Sequence, residues 1–332
     1  MRSLLLLFAA AAVSAADIAK LHVFELAKPG ESVEVAKIPE LAAAAYGRPH
    51  MTAPPIPVFR LSDIPFLGAN RKEKLDLYFP NGPKRLDRPA VVFIHGGGFT
   101  GGDKAEYRSA SVSADLCRAG YVVVSCNYVL GPKTKEGVWP QNIADCRNAV
   151  RWVRAHAKEL GVNPDKIAVA GGSAGGYLAL MVGLSDDKTG PGGDPAAKVS
   201  AKVSAVIDMY GVVNFAKRGK GEVPGTSPAE QSAYFPESQC DAQDPAVLIL
   251  HGTADSTVDI AQSDDMAKAL RSAKTSYEYI VVEGAPHTFD LHPKGKGWKR
   301  TGVMAGAEVS GSSDKADLTE ATLDFLARTI GK

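Results

Sequence analysis

Ile167 to Gly183 reads IAVAGGSAGGYLALMVG: an apolar run, five small residues around one hydroxyl at Ser173, then a second apolar stretch. The first run has the length of a strand and the second the character of a helix. Between them, Gly171-Gly172-Ser173-Ala174-Gly175 is a G-x-S-x-G pattern, in which a tight strand-to-helix turn thrusts one side chain out of the backbone. Small flanking residues let neighbouring segments come very close. The helix start adds free N–H groups and a partial positive end, which favour a developing oxyanion. Taken alone, the pattern also fits an N-cap serine in a Gly-rich phosphate-binding turn. It lacks the Lys of a P-loop and the spacing of a dinucleotide fingerprint.

Outward from this stretch, continuous apolar runs recur at AVVFIH (Ala90 to His95), YVVVSC (Tyr121 to Cys126), VSAVIDMYG (Val203 to Gly211), AVLILHG (Ala246 to Gly252) and YEYIVVEG (Tyr277 to Gly284). Short runs apolar on both faces are what a parallel sheet covered by helices requires. EKLDLYFP differs: Leu75, Leu77 and Phe79 alternate with polar residues, which predicts a strand with one wet face. Between the runs, Ile143, Cys146, Val150, Val153, Ala157 and Leu160 step by three and four along one helix face, closed by Gly161. Leu318, Ala321 and Phe325 repeat the pattern near the end, with Ser313 or Asp314 as N-cap. Alternation of this kind predicts a doubly wound α/β fold.

Two segments interrupt the alternation, Ser185 to Lys198 and Phe215 to Pro245, both long and rich in Gly and Pro. They read as surface loops, the second as a loop or small cap over the carboxyl ends of the strands, where an open α/β sheet binds its ligand. Asp17 to Pro57 is rich in Ala and Pro without a clear period, and reads as an N-terminal arm, a partial lid or a linker. The catalytic domain is expected from residue 58 to 332.

At the start, Arg2, the apolar run Leu4 to Val13 and the small residues of Val13-Ser14-Ala15 read as a cleaved secretory signal over residues 1 to 16. The apolar run falls short of the ~20 residues that cross a bilayer, so no membrane anchor is expected in the mature chain. The expected location is periplasmic or extracellular. Loss of Arg2 leaves 37 basic against 37 acidic residues, and a balanced charge gives no reason to expect a nucleic-acid partner. In an oxidising compartment Cys117, Cys126, Cys146 and Cys240 have three full pairings open to them. Cys126, inside a Val-rich run, reads better as a buried apolar residue. None of the four has the spacing of a zinc site, and no metal is expected.

A serine hydroxyl is a poor nucleophile until a base takes its proton, and the base needs a carboxylate to orient it. Of seven histidines, His287 in EGAPHTF lies just past the carboxyl end of a strand, with His292 as fallback. Between serine and histidine in the chain, Asp255 in HGTADSTVD follows a strand in a short turn; Asp259 and Asp208 are its rivals. The run His95-Gly96-Gly97-Gly98 closes another strand with unobstructed backbone N–H groups. Gly97 and Gly98, with the N–H of Ala174, are the expected oxyanion donors. His95 reads as structural support at that hole. Phe99 and Tyr107 are candidate pocket walls.

Taken together, LDLYFP, VVFIHGGGFTGGDK, GYVVVSCNYVL, the stretch from WPQN to YLAL, LILHGTADSTVDIAQS and GAPHTF resemble the alpha/beta-hydrolase esterases related to hormone-sensitive lipase and to bacterial acetyl and feruloyl esterases. The resemblance implies a triad of Ser173, Asp255 and His287, an oxyanion hole from Gly97, Gly98 and Ala174, and no cofactor. It implies hydrolysis of an ester on a small molecule or a polysaccharide. Peptide or amide hydrolysis by the same triad, and a noncatalytic binding module on the same fold, are the rival readings. Many relatives carry an acidic residue immediately before the serine, where this chain has Gly172.

Overall fold

The computed structural model describes residues 21–28, 31, 33–46, 56–83, 85–131, 138–216, 227 and 230–332. The expected secretory signal lies outside the described residues. Among the described residues eleven strands form one sheet: β1 (Val23–Glu25), β2 (Val58–Pro65), β3 (Lys74–Pro80), β4 (Arg88–Ile94), β5 (Val122–Cys126), β6 (Val162–Gly172), β7 (Ala205–Met209), β8 (Ala246–Gly252), β9 (Tyr277–Glu283), β10 (Gly297–Met304) and β11 (Ala307–Ser313). Their order is β1-β2-β3-β5-β4-β6-β7-β8-β9-β10-β11. From β5 to β9 every pairing is parallel, and β3 and β10 join that block antiparallel.

The apolar runs work by alternation with both faces covered. In β4, Ala90, Val92 and Ile94 enter one core while Val91 and Phe93 enter the other. β8 divides likewise, Val247 and Ile249 against Leu248 and Leu250. The first core is roofed by the helices Gln141–Ala155, Ala174–Leu184 and Ala261–Ala273, and the second by Tyr107–Arg118 and Thr319–Thr329. Each fully buried Val, Leu or Ile contributes roughly 1.5–3 kcal/mol, so these strands are held from both sides. The face expected from Ile143 to Leu160 is divided at His156 into two helices, Gln141–Ala155 and Ala157–Leu160, and Gly161 ends the second in the left-handed conformation.

Two expectations need correction. β3 has no wet face: Asp76 is fully buried, and the Lys104 ammonium at 3.0 Å and the Arg60 guanidinium at 3.7 Å supply the countercharges that replace water. The last helix is headed by Leu318 with the Asp317 carboxylate accepting the Thr319 N–H at 2.9 Å, whereas Ser313 ends a strand. Residues 297–313, where the sequence suggests no element, form the β10–β11 hairpin, whose partly polar strands lack a sustained apolar run.

The described part of the arm supplies β1, parallel to β2, and the helix Ile38–Tyr46. Val33, Ile38 and Ala42 are buried in the first core. That helix packs on Ala157–Leu160, which precedes β6, so it sits at the amino ends of the parallel strands. Of the interrupting loop 215–245, the described part carries two short 3-10 turns, Gln231–Tyr234 and Pro236–Ser238. All four cysteines are free thiols, and Cys126 is buried.

Candidate active site

The parallel strands deliver their carboxyl ends to one rim. β4 runs into His95-Gly96-Gly97-Gly98, β6 into Ser173, β7 into Tyr210, β8 into the turn holding Asp255, and β9 into the loop holding His287. Residues far apart in sequence meet there because the strands that carry them are neighbours in register.

Ser173 stands between β6 and the helix Ala174–Leu184 with φ 57° and ψ −118°, a conformation few residues other than glycine adopt. Its Oγ lies 2.9 Å from His287 Nε2, and His287 Nδ1 lies 2.6 Å from Asp255 Oδ2. The three expected residues therefore form one hydrogen-bonded line. Asp255 is held by more than His287: its Oδ1 accepts the N–H groups of Thr257 and Val258, each at 2.8 Å. Burial opposes its charge, but hydrogen bonds from His251, His287 and the Val258 N–H outweigh burial and hold the carboxyl well below the usual range. It is therefore ionised at neutral pH.

The rivals are placed elsewhere. Asp259 accepts the Ala261 N–H at 2.9 Å, at the start of the helix Ala261–Ala273. Asp208 is buried on β7, accepting the Gly211 N–H at 2.9 Å, and burial pushes its carboxyl up to about 7. His292 bridges Asp317 at 2.6 Å and Asp115 at 2.9 Å, out of the triad but in the same loop as His287.

The Gly96–Gly98 run lies against the nucleophile turn: a Cβ on Gly96 would stand 2.9 Å from Gly172 O and 3.4 Å from Ser173 Cβ. Gly97 and Gly98 have φ of 115° and 62°, backbone conformations that favour glycine. Ala174, the first residue of the helix, presents its N–H beside the serine. His95 is fully buried, its Nδ1–H donating to Gly96 O at 2.7 Å and its ring stacked on Tyr128 at 4.5 Å. Burial pushes its imidazole down to about 4, so it is a neutral prop and not a second base.

Phe99, with φ 64°, joins an aromatic cluster: Trp139 at 4.9 Å between ring centroids, Tyr177 at 5.6 Å and Phe215 at 5.8 Å, with Tyr234 at 6.2 Å from Trp139. These are mostly edge-to-face contacts, the arrangement that ring quadrupoles favour. The cluster adjoins the turn, since Phe99 follows Gly98 and Tyr177 donates its N–H to Ser173 O. Tyr107 is 45% exposed at the head of its helix.

Sequence reasoning missed Trp139, Tyr177, Phe215, Tyr234, Tyr210 and the role of His251. Tyr177, one turn after the serine, and Tyr210, at the carboxyl end of β7, carried a positional signal; Trp139 and Tyr234 carried none. Tyr210 packs its ring 4.9 Å from His287 and donates its hydroxyl to Phe289 O at 2.5 Å. With Ser111 donating to Asp290 at 2.8 Å and the His292 bridges, it pins the loop on which His287 rides. Among the described residues no cluster of His, Cys, Asp or Glu is arranged to hold a metal, and no helix is long and apolar enough to cross a membrane.

Several known proteins are similar to this chain. Esterase LipQ of Mycobacterium tuberculosis is 30% identical over 248 residues, 69% of this chain and 57% of that protein. The probable carboxylic ester hydrolase LipM of the same organism is 31% identical over 221 residues, 61% of this chain and 50% of that protein. The chain thus spans about half the length of the curated relatives it matches. Among solved structures, a thermophilic esterase of Thermogutta terrifontis with propionate bound superposes with a TM-score of 0.57 at 32% identity, covering 67% of this chain and 82% of that one. A truncated carbohydrate esterase from gut microbiota shares the fold, with a TM-score of 0.59 at 24% identity over 69% of this chain and 88% of that one. Residues 75–270 match the BD-FAE family, and with its doubly wound sheet and Ser173 at the strand-to-helix turn the chain belongs to that alpha/beta-hydrolase family.

Proposed function

We propose that the protein is a serine carboxylesterase that cleaves short-chain acyl esters through an acyl-enzyme. The observation that carries this reading is the line Ser173 Oγ, His287 Nε2 at 2.9 Å, His287 Nδ1 and Asp255 Oδ2 at 2.6 Å. As Ser173 Oγ attacks the ester carbonyl, His287 Nε2 takes its proton, and the ionised Asp255 stabilises the imidazolium through Nδ1–H. The carbonyl oxygen becomes an oxyanion facing the N–H groups of Gly97, Gly98 and Ala174, and each such donor contributes ~3 kcal/mol to the barrier reduction. His287 returns the proton to the leaving alkoxide as the C–O bond breaks, leaving the acyl group on Ser173. Water then attacks with His287 as base, the acid departs, and Ser173 regains its proton.

Short acyl groups are favoured by the closely packed rings beside the nucleophile, among which Phe99 and Tyr177 touch the turn itself. The similar T. terrifontis enzyme has been solved with propionate and with butyrate bound, and phosphorylated by paraoxon. Acetyl or feruloyl groups on polysaccharides are the proposed natural esters, and the run Leu4 to Val13 supports an exported enzyme, periplasmic or extracellular.

The test is a burst assay with p-nitrophenyl acetate on the protein and on Ser173→Ala. A burst of one equivalent that the variant lacks supports the reading; an inactive parent or a fully active variant overturns it. Acyl length scanned from acetate to laurate, then acetylated xylan and feruloyl esters, identifies the substrate. Amino-terminal sequencing of exported protein, with a mature end near Asp17, tests secretion.

A further inference from the structure

We propose that His251 is a positioning residue for the triad carboxylate: it gives Asp255 a second imidazole N–H and so sets how strongly Asp255 draws on His287. The inference rests on the serine-hydrolase reading of the same site.

His251 lies on β8, fully buried, four residues before Asp255. Its Nε2 is 3.0 Å from Val258 O and 3.2 Å from Asp255 Oδ2. Both neighbours are acceptors, one a carbonyl and the other an ionised carboxylate, so Nε2 carries the proton. In the neutral ring Nδ1 then accepts from the Ser263 hydroxyl, 2.7 Å away on the helix Ala261–Ala273. The two acceptors at Nε2 fix the tautomer, and the hydroxyl complies by donating to Nδ1. The polar groups therefore run in one direction, Ser263 O–H to His251, His251 N–H to Asp255, and His287 N–H to the same Oδ2 at 2.6 Å.

Sharing one oxygen has a defined consequence. Each donor withdraws charge from Oδ2, so the N–H of His251 makes Asp255 a weaker partner for the His287 imidazolium. Loss of that N–H is expected to strengthen the pairing of Asp255 with His287. The same contact, with the N–H groups of Thr257 and Val258 on Oδ1, leaves the carboxylate no freedom to rotate away.

A histidine that only filled the core would make the Val258 and Ser263 bonds equally well, so pH dependence discriminates. The groups facing His251 are Asp255 in the loop that follows it, Asp208 on β7, whose charge acts on it, and Ser263 on the helix. Tyr279 on neighbouring β9 gives its hydroxyl to Asp264 at 3.1 Å. Since Asp208 titrates near the working range, the comparison is repeated in an Asp208→Asn background.

The experiment is the pH profile of kcat/KM for p-nitrophenyl acetate. His251→Leu removes the donor, and its acid limb is expected to move upward by about half a pH unit or more. His251→Gln keeps an N–H within reach of Asp255 and is expected to return the limb toward that of the parent. Ser263→Ala, a smaller change, removes the hydrogen bond that holds the far side of the His251 ring and is expected to move the limb the same way by a smaller amount, which keeps the test intact if the leucine variant does not fold. A limb that stays in place in folded His251→Leu or in Ser263→Ala, or that moves equally in His251→Gln, overturns the proposal. Were Ser173→Ala to retain activity, the serine-hydrolase reading itself would fail. An unmoved limb in an enzyme that needs Ser173 removes only the role of His251.

Discussion

A Cβ at position 172 would stand 2.8 Å from the hydroxyl oxygen of Tyr210 and 3.2 Å from its Cζ. Tyr210 cannot easily yield, because that hydroxyl holds Phe289 O at 2.5 Å and its ring lies against His287. The glycine before the serine thus has a local cause: the tyrosine ring already fills the space. Gly172→Ala is expected to cost about 1–3 kcal/mol. Tyr210→Phe on its own loses a hydrogen bond of about 1 kcal/mol. Because removing the hydroxyl also removes the closest clash, the double variant is expected to be more stable than the sum of the single costs predicts. Urea denaturation of the four proteins measures the coupling, and strict additivity would contradict the steric account.

The nucleophile is itself strained. At φ 57° and ψ −118° a residue with a Cβ stores roughly 1–3 kcal/mol, which the neighbouring packing sustains. Ser173→Gly relieves that strain and adds ~0.5–1 kcal/mol of unfolded-chain entropy cost, so a net stabilisation of about 1 kcal/mol over Ser173→Ala is expected. Both variants should be inactive. Chemical denaturation of the pair is the check, and equal midpoints would count against strain at this position.

His292 makes stability depend on pH. Hydrogen bonds to Asp115 and then Asp317 raise its imidazole from 6.5 to about 9, against the opposing effect of burial. A folded-state pKa above the unfolded one means that the contribution is complete below pH 6.5 and is lost as pH rises through about 9. His292→Gln should therefore melt below the parent at pH ~6 and at nearly the same temperature at pH ~10. Activity should follow, since the same loop carries His287. A gap in melting temperature that is independent of pH would show that the histidine acts by packing alone.

Trp139 is the ring that touches most of the cluster, contacting Phe99, Tyr177, Phe215 and Tyr234. Truncating it to alanine opens space beside the nucleophile turn. The ratio of kcat/KM for octanoate to that for acetate is expected to rise ~10-fold, the scale of a few methylenes newly accommodated in an apolar pocket. Competition assays on p-nitrophenyl esters give this ratio directly; an unchanged ratio with both rates lowered would assign the cluster to folding and not to specificity.

Much of the molecule was legible in local chemistry. A strand buried on both faces is apolar at most positions, so β4, β5 and β8 announced themselves, and the apolar face from Ile143 to Leu160 did so by its spacing, although the chain divides it between the helices Gln141–Ala155 and Ala157–Leu160. β3 misled because Asp76 looks solvated in sequence, and only the fold reveals Lys104 and Arg60 beside it. The β10–β11 hairpin escaped for the opposite reason: its residues carry little apolar pattern, and its pairing to β9 is set by backbone hydrogen bonds, to which sequence periodicity is blind.

The amino-acid sequence by itself determined the strand-to-helix turn at Ser173, the glycines of the expected hole and the order serine, aspartate, histidine, because each depends on the conformational freedom or reactivity of a few adjacent residues. Only the tertiary structure decided that Asp255 and not Asp208 meets His287, that Tyr210 takes the place of a side chain at position 172, and that His251 shares Oδ2 of Asp255 with His287. Those outcomes depend on which strands lie side by side and on how their ends are offset. Such distances are fixed by the packing of the whole sheet, and no local pattern carries them.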